Sequence, residues 1–537
     1  MPAAMPEPDA MAGGLISKFS SVGGATAASR VLGFFREAII ASMLGAGPVA
    51  DAFYAAFRFP NLFRRLFAEG AFNAAFVPLF AKQLEAGGRD AARRFAEQVL
   101  SVLFVILLAV SALAMIFTPF LVGNVIASRF DPESEKFALT VLMTRIMFPY
   151  LMAMSLVAML SGILNSFRRY FLAAFAPVLM NVSMIGALLL AGQFGASHAQ
   201  IGIWLSWSVI VSGILQLLLL VFGVRLQGFS LTLQPPALTP AVRRLLWLAL
   251  PAAITGGITQ VNLLVGQNIA SSQEGAIAII NYADRIFQLP LGIITNAIAV
   301  VLLAELAIAL RAGDLEESAK LQNRSLEFGL GLVLPAMVGF LVLPEALVAI
   351  LYERGAFARE TTLLSAGVLA GFAVGLPAFT LIAVFRPGFY AREDMKTPMW
   401  GAAANAVVNI IASLVLFPML GVTGIAIATS LAGWVNALFL AFVLWRRSLF
   451  RPAAQTRRRL LLIVMASVVT GLFLLAYKSQ FGQTMLDGGI GTRLLLVSGA
   501  IAMSLIVYFA IVIFTGAIDR KQIVAVLARK RTKPGIG

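Results

Sequence analysis

The chain has 537 residues, 60% of them hydrophobic and 12% charged, roughly half the charged fraction of a soluble domain. A mean hydropathy of +0.91 excludes a string of water-soluble domains, and the net charge of +16 then needs a location. With no cysteine and one histidine, His198 in the polar stretch GASHAQ, the composition excludes disulfides, thiol catalysis, thiolate metal sites and multi-histidine centres.

About 20 apolar residues cross a bilayer as a helix. The N-terminal MPAAMPEPDAMAGG has neither the basic nor the apolar region of a secretory signal, and residues 1–14 are read as a disordered extension. Six spans follow at Leu15–Leu44, Val49–Ala81, Val99–Leu121, Phe137–Phe167, Phe171–Gly192 and Ile201–Val224, a first lobe over residues 15–225. Six more at Leu245–Ala270, Ala276–Leu310, Phe328–Leu343, Leu363–Phe385, Met399–Leu420 and Gly421–Trp445 make a second lobe over residues 239–447. Leu460–Tyr477 and Leu494–Thr515 lie within 457–516, and residues 517–537 form a basic tail. The predicted fold is all-α, with fourteen membrane helices.

Basic residues test that count, because Lys and Arg concentrate in cytoplasmic loops. With the N-terminus inside, 28 of the 41 cations fall on the inner side, from Lys18 through Arg89, Arg243 and Arg459 to the tail. Six fall outside: Arg129, Lys136, Arg354, Arg359, Lys478 and Arg493. A wrong span count would scramble this alternation. Both termini are therefore predicted to be cytoplasmic.

Seven cations remain inside the spans. Arg145 lies close enough to a span end to snorkel. The other six are Arg30 and Arg36 in span 1, Arg58, Arg64 and Arg65 in span 2, and Arg285 in span 8. An arginine at mid-helix costs roughly 2.5–3.5 kcal/mol on insertion scales, so these positions need protein or water beside them. At about 100° per residue, Asp51, Arg58, Arg65, Glu69 and Asn73 form one polar stripe along span 2. Pro60 bends that helix and keeps Arg64 in play. In span 1, Arg30, Gly33 and Glu37 share a face, and a bend at Gly33 would turn Arg36 towards the same cavity. Span 8 adds Asp284 and Arg285 before Pro290.

The bland account is internal glue, with the arginines paired to Glu37, Asp51, Glu69 and Asp284. Six arginines against four carboxylates leave positive charge over. The functional account is a water-filled cationic cavity for an anion, since arginine's planar donors suit phosphate or pyrophosphate bidentately. Nucleic acid is excluded as a partner, because these cations are embedded and the loop cations are explained by topology. Nothing in the pattern points to bond-making chemistry.

An internal repeat favours a transporter. YAAFRFP at Tyr54–Pro60 echoes YADRIFQLP at Tyr282–Pro290, and FRRYFLAAFAPVLMN after span 4 is matched by YAREDMKTPMWGAAAN after span 10. Spans 1–6 and 7–12 thus read as two parallel six-helix repeats around a central cavity, with spans 13 and 14 outside them.

The segments SRVLGFFREAII, GPVADAFYAAFRFPNLFRRLFAEGAFNAAFVP, NYADRIFQLPLGI and PGFYAREDMKTP resemble the MurJ (MviN) family of lipid II flippases, part of the multidrug/oligosaccharidyl-lipid/polysaccharide exporter superfamily. The resemblance runs from about Leu15 through span 14. It implies translocation of lipid II, the undecaprenyl-pyrophosphate-linked peptidoglycan precursor, across the bacterial inner membrane by alternating access. It also implies contacts with membrane lipids and with cell-wall synthesis proteins. Carried over by motif, the substrate-binding arginines are Arg30, Arg36, Arg64 and Arg285, with Asp51 as a further functional acid. Glu37, Arg58, Arg65, Glu69, Asp284 and Gln288 are candidates for pairing or gating. Helices 13 and 14 correspond to the groove that the family assigns to the polyprenyl tail. The wheel favours Arg65 where the motif favours Arg64. Gln288 stands where some members carry Glu, which puts any ion-coupling role of that acid in doubt here.

No cofactor is predicted. Asn405 and Asn409, one turn apart in span 11, offer oxygens to Na⁺ or link helices, and coupling to the membrane potential is equally open. Two other functions stay in view: export of a different polyprenyl-linked saccharide, and cation-coupled drug efflux. The embedded arginines argue against the second.

Overall fold

The computed structural model describes residues 8–64 and 71–517, and these contain helices and connections with no strand. In chain order the helices are α1 (Pro8–Leu44), α2 (Pro48–Arg64), α3 (Ala71–Ile116), α4 (Thr118–Leu121), α5 (Glu135–Met147), α6 (Tyr150–Ser166), α7 (Tyr170–Gln193), α8 (His198–Leu226) and α9 (Pro240–Ala270). They continue as α10 (Ala276–Arg311), α11 (Leu315–Val342), α12 (Pro344–Tyr352), α13 (Arg359–Ala373), α14 (Leu376–Tyr390), α15 (Lys396–Leu420), α16 (Val422–Arg446), α17 (Ala454–Asp487) and α18 (Ile490–Phe514). Each of the fourteen predicted spans falls on one or two of these helices. Among the described residues ten helical stretches are long and apolar enough to cross a membrane, and the other four predicted spans lie on α1, α2, α9 and α10.

Three boundaries differ from the sequence reading. Helix α1 starts at Pro8, inside the expected extension. Span 2 and span 3 share α3, because its helix continues through the basic stretch at Lys82 and turns at Gly88, whose φ of 67° suits a residue without Cβ. Third, the chain divides into compact units Met1–Ala278 and Ile279–Gly537, so α9 belongs to the first. The sequence reading opened the second lobe at residue 239. The connection before α9 explains the difference, since it is bonded along α3. Thr232 donates from N and Oγ1 to Glu97, Gln234 N donates to Ser101 Oγ, and Thr239 Oγ1 donates to Gln98 at 3.0 Å.

Within each unit the helix-ending devices repeat. The helical stretches that carry spans 4 and 10, Glu135–Ser166 and Arg359–Tyr390, are each 32 residues long and each broken in two, at Phe148–Pro149 and at Val374–Gly375. Each then ends on a left-handed residue, Arg168 (φ 58°) and Glu393 (φ 60°). In both, the next amide reaches five residues back: Arg169 N to Leu164 O at 2.9 Å, and Asp394 N to Phe389 O at 3.0 Å. The ends of α8 and α16 match in the same way, around Gly228 and Ser448. These agreements are the structural counterpart of the parallel sequence repeat.

The REDMKTP motif is one such end. Asp394 accepts from Thr397 N at 2.9 Å and Thr397 Oγ1 at 2.6 Å, which caps the start of α15, and from Arg447 at 2.7 Å. Burial pushes its carboxyl up, but the Thr397 and Arg447 bonds outweigh that and hold it at about 2. Asp394→Ala is expected to lower stability by about 1–2 kcal/mol, the usual cost of a lost cap, measured as a lower unfolding temperature in detergent. The wild-type contribution is full above the ordinary carboxyl value of 3.8 and is lost as pH falls through about 2.

Helices α17 and α18 pack on α11 and α12. Ile463, Ala466, Tyr508 and Val512 form a buried cluster with Leu334, and Leu474 and Val497 form another with Leu343 and Ala346. Two carboxylates tie the packing down. Glu327 accepts from Thr456 at 2.6 Å and Arg459 at 2.9 Å, while Glu353 accepts from Arg493 at 3.0 Å and Arg359 at 3.2 Å. The outward faces of both helices stay apolar and exposed, as at Leu461, Leu472, Leu495 and Ile506, suited to lipid chains.

Candidate functional site

Arg36 and Glu37 lie on the buried side of α1, 4% and 3% exposed. They pair with each other through Arg36 Nη2 and Glu37 Oε1. Arg36 Nη1 also donates to Asn181 Oδ1 of α7 at 2.9 Å, and Tyr54 of α2 donates its hydroxyl to Glu37 Oε2 at 2.6 Å. Asn181 in turn donates to Ser29 O at 2.8 Å. Gly33 faces the Asn181 side chain, and a Cβ there would stand in ordinary van der Waals contact with it, 3.5 Å from Oδ1. Three helices are thus joined through the Arg36–Glu37 pair, α7 by the arginine and α2 by the glutamate. Arg36 Nε, although buried, has no hydrogen-bond partner.

Helix α1 is continuous through Gly33, and the Asn181 side chain lies beside that glycine. Arg30 is exposed and Arg36 buried, so the two arginines of span 1 sit in different surroundings.

Asp51 is fully buried on α2. Its Oδ2 accepts from Lys136 Nζ of α5 at 2.7 Å and from Gly275 N at 2.7 Å, and its Oδ1 accepts from Ala278 N at 3.0 Å. A carboxylate in this position satisfies amides at the start of α10 that have no partner within the helix, and it meets the positive end of the helix dipole. Gly275 is required twice over: its φ is +75°, and a Cβ would meet Ala46 O at 2.4 Å. Lys136 also lies over the Phe130 ring, 4.1 Å from its centroid. The sequence reading put Asp51 on a stripe of arginines. In the structure its oxygens hold the entry to α10 and a lysine from another helix.

The remaining candidates fall as follows. Arg58 is half-buried on α2, and Arg64 is that helix's last residue. Arg65 and Glu69 lie outside the described residues, and Asn73 belongs to α3, so two described helices carry the ends of the predicted stripe. On α10, Asp284 and Arg285 are half-buried, and exposed Gln288 donates its amide to Asp284 Oδ2 one turn away. Asn405 is half-buried on α15; Asn409 is buried and accepts from Thr429 of α16 at 3.3 Å, an interhelical bond. Among the described residues no group of His, Asp and Glu could hold a metal ion. Arg145 is exposed and donates to Met115 O at 3.1 Å, as a span-end arginine should.

Sequence reasoning missed Asn181 and Lys136. Asn181 closes the repeated segment FRRYFLAAFAPVLMN, so a signal was present in the repeat. Lys136 carried none: it counts as one of six outer cations, and only folding brings it to Asp51, 85 positions away.

A family model described as lipid II flippase MurJ matches residues 40–490. A probable lipid II flippase MurJ of Rhizobium tropici is 50% identical over 525 residues, covering 97% of this chain and 98% of that relative. A solved structure of a lipid II flippase MurJ, in an inward closed conformation, superposes with a TM-score of 0.76 at 25% identity, over 91% of this chain and 97% of that one. An inward-facing multidrug resistance MATE family transporter of the MOP superfamily shares the fold alone, with a TM-score of 0.67 at 14% identity over 78% and 94% of the two chains. With the family model matched over most of the sequence and a relative identical at half the aligned positions, this multi-pass membrane chain belongs to the MurJ family.

Proposed function

We propose that this protein moves lipid II from the cytoplasmic to the periplasmic leaflet of the bacterial inner membrane by alternating access, with both of its termini in the cytoplasm. The observation that carries the reading is the state of the embedded charges in a chain of this family. Asp51 is engaged by Lys136 and two amides, so its charge goes to a lysine outside the set of six arginines. Arg36 keeps a donor without a partner.

On this reading the pyrophosphate is drawn to the positive charge of Arg30, Arg36, Arg64 and Arg285. Arginine meets phosphate oxygens with paired donors of fixed geometry. Arg36 reaches the substrate by exchanging its Glu37 partner for a phosphate oxygen, which leaves Glu37 held by Tyr54. The apolar outer faces of α17 and α18 take the polyprenyl tail. No bond is made or broken. The driving force is the membrane potential acting on a charged substrate, or a monovalent ion gradient.

Depletion in cells tests this directly. The expected result is arrested wall synthesis with lipid II accumulating on the inner leaflet. Continued growth with loss of a surface polysaccharide would instead show an exporter of another polyprenyl-linked saccharide.

A further inference from the structure

An apolar surface lies away from the embedded arginines, between α3 and α9. A groove of about 380 Å³ opens there, lined only by apolar side chains. Val99, Leu103 and Ile106 of α3 form one wall, and Leu246, Trp247 and Leu250 of α9 form the other. Trp247 is 72% exposed and Leu250 52%, so the groove is open along its length. Its lower end is pinned by the Thr239–Gln98 bond at the start of α9.

Two arginines stand at that end. Arg243 and Arg244 occupy the first turns of α9 and are exposed. Arg243, Leu246, Trp247 and Leu250 follow the i, i+3, i+4, i+7 spacing of one helix face, so the guanidinium stands directly beyond the apolar wall. Helical side chains lean towards the N-terminus, which carries Arg243 away from the hydrocarbon and into the headgroup layer. Exposed Arg94 lies at the same end of α3. Basic residues there mark the cytoplasmic face, and an exposed tryptophan one turn further in sits at interfacial depth.

We propose that the α3–α9 groove binds an anionic glycerophospholipid of the cytoplasmic leaflet, with one acyl chain against Leu103, Leu246 and Leu250 and the phosphate on Arg243 and Arg244. Charge complementarity selects the occupant. A zwitterionic lipid fills the groove equally well but neutralises its own phosphate, whereas phosphatidylglycerol leaves that charge for the two arginines.

The test is quenching of Trp247 fluorescence by lipids brominated in the acyl chain, with the protein in phosphatidylcholine vesicles. The Trp247 signal is the difference between the wild type and Trp247→Phe. At equal mole fraction, brominated phosphatidylglycerol is expected to associate about fivefold more strongly than brominated phosphatidylcholine. In Arg243→Gln/Arg244→Gln that preference is expected to vanish. Should the double variant fail to fold, a salt titration of the wild type serves, because screening is expected to erase the preference. Equal quenching by the two lipids, or a preference indifferent to salt and to both arginines, overturns the proposal in favour of ordinary annular lipid. Relief of the quenching by equimolar lipid II also overturns it, since the groove would then hold the substrate's own tail.

Discussion

Asp51→Ala is expected to abolish complementation of a strain depleted of the native flippase. The variant removes the acceptor of three bonds at once. Partly exposed Lys136 loses its counter-ion, and the amides of Gly275 and Ala278 are left buried without a partner. Each orphaned buried donor costs about 1–3 kcal/mol. The sum is a large part of the 5–15 kcal/mol that typically separates folded from unfolded chains. Because the amides belong to the entry of α10, the damage falls on the helix that carries Arg285. Lys136→Met is expected to be milder, since both amides keep their acceptor and only the ion pair is lost. Complementation by Asp51→Ala at the wild-type level would show that α10 needs no such anchor. The check is growth on depletion, with membrane abundance of each variant measured alongside.

The second large effect is at Arg36. Arg36→Ala removes the cation paired with buried Glu37, and breaking a buried pair in this way costs about 3–5 kcal/mol. A stability loss alone would fit a purely structural arginine. Arg36→Ala/Glu37→Gln separates the two accounts, because neutralising the glutamate removes the stranded charge. This double variant is expected to recover most of the lost stability, read from unfolding in detergent, while complementation stays absent. Recovery of both properties together would make the pair internal glue.

The helices were legible in the sequence, because apolar length is a direct consequence of a membrane environment. So was the repeat, whose matched segments end spans 4 and 10 on the same turn. Asp394 shows how much such a motif can hold: ordinary-looking loop residues are a helix cap and an ion pair. Asp51 was located but its role was not. A helical wheel ranks neighbours along one helix, and the partners of Asp51 come from α5 and from the start of α10. The wheel makes Arg36 a cavity residue, and it cannot register Asn181, the partner that α7 brings to it. The position of α9 was hidden for a similar reason, since its attachment to α3 rests on polar bonds from a connection that periodicity does not register.

The account turns on embedded arginines moving a pyrophosphate-linked lipid. Flipping of labelled lipid II by the purified protein in vesicles tests it most directly, comparing wild type with Arg36→Ala and Arg285→Ala in samples shown to be folded. The expected result is transport by the wild type and a drop of about tenfold or more in each variant, equivalent to about 1.4 kcal/mol in the barrier. Wild-type transport by both variants would contradict it.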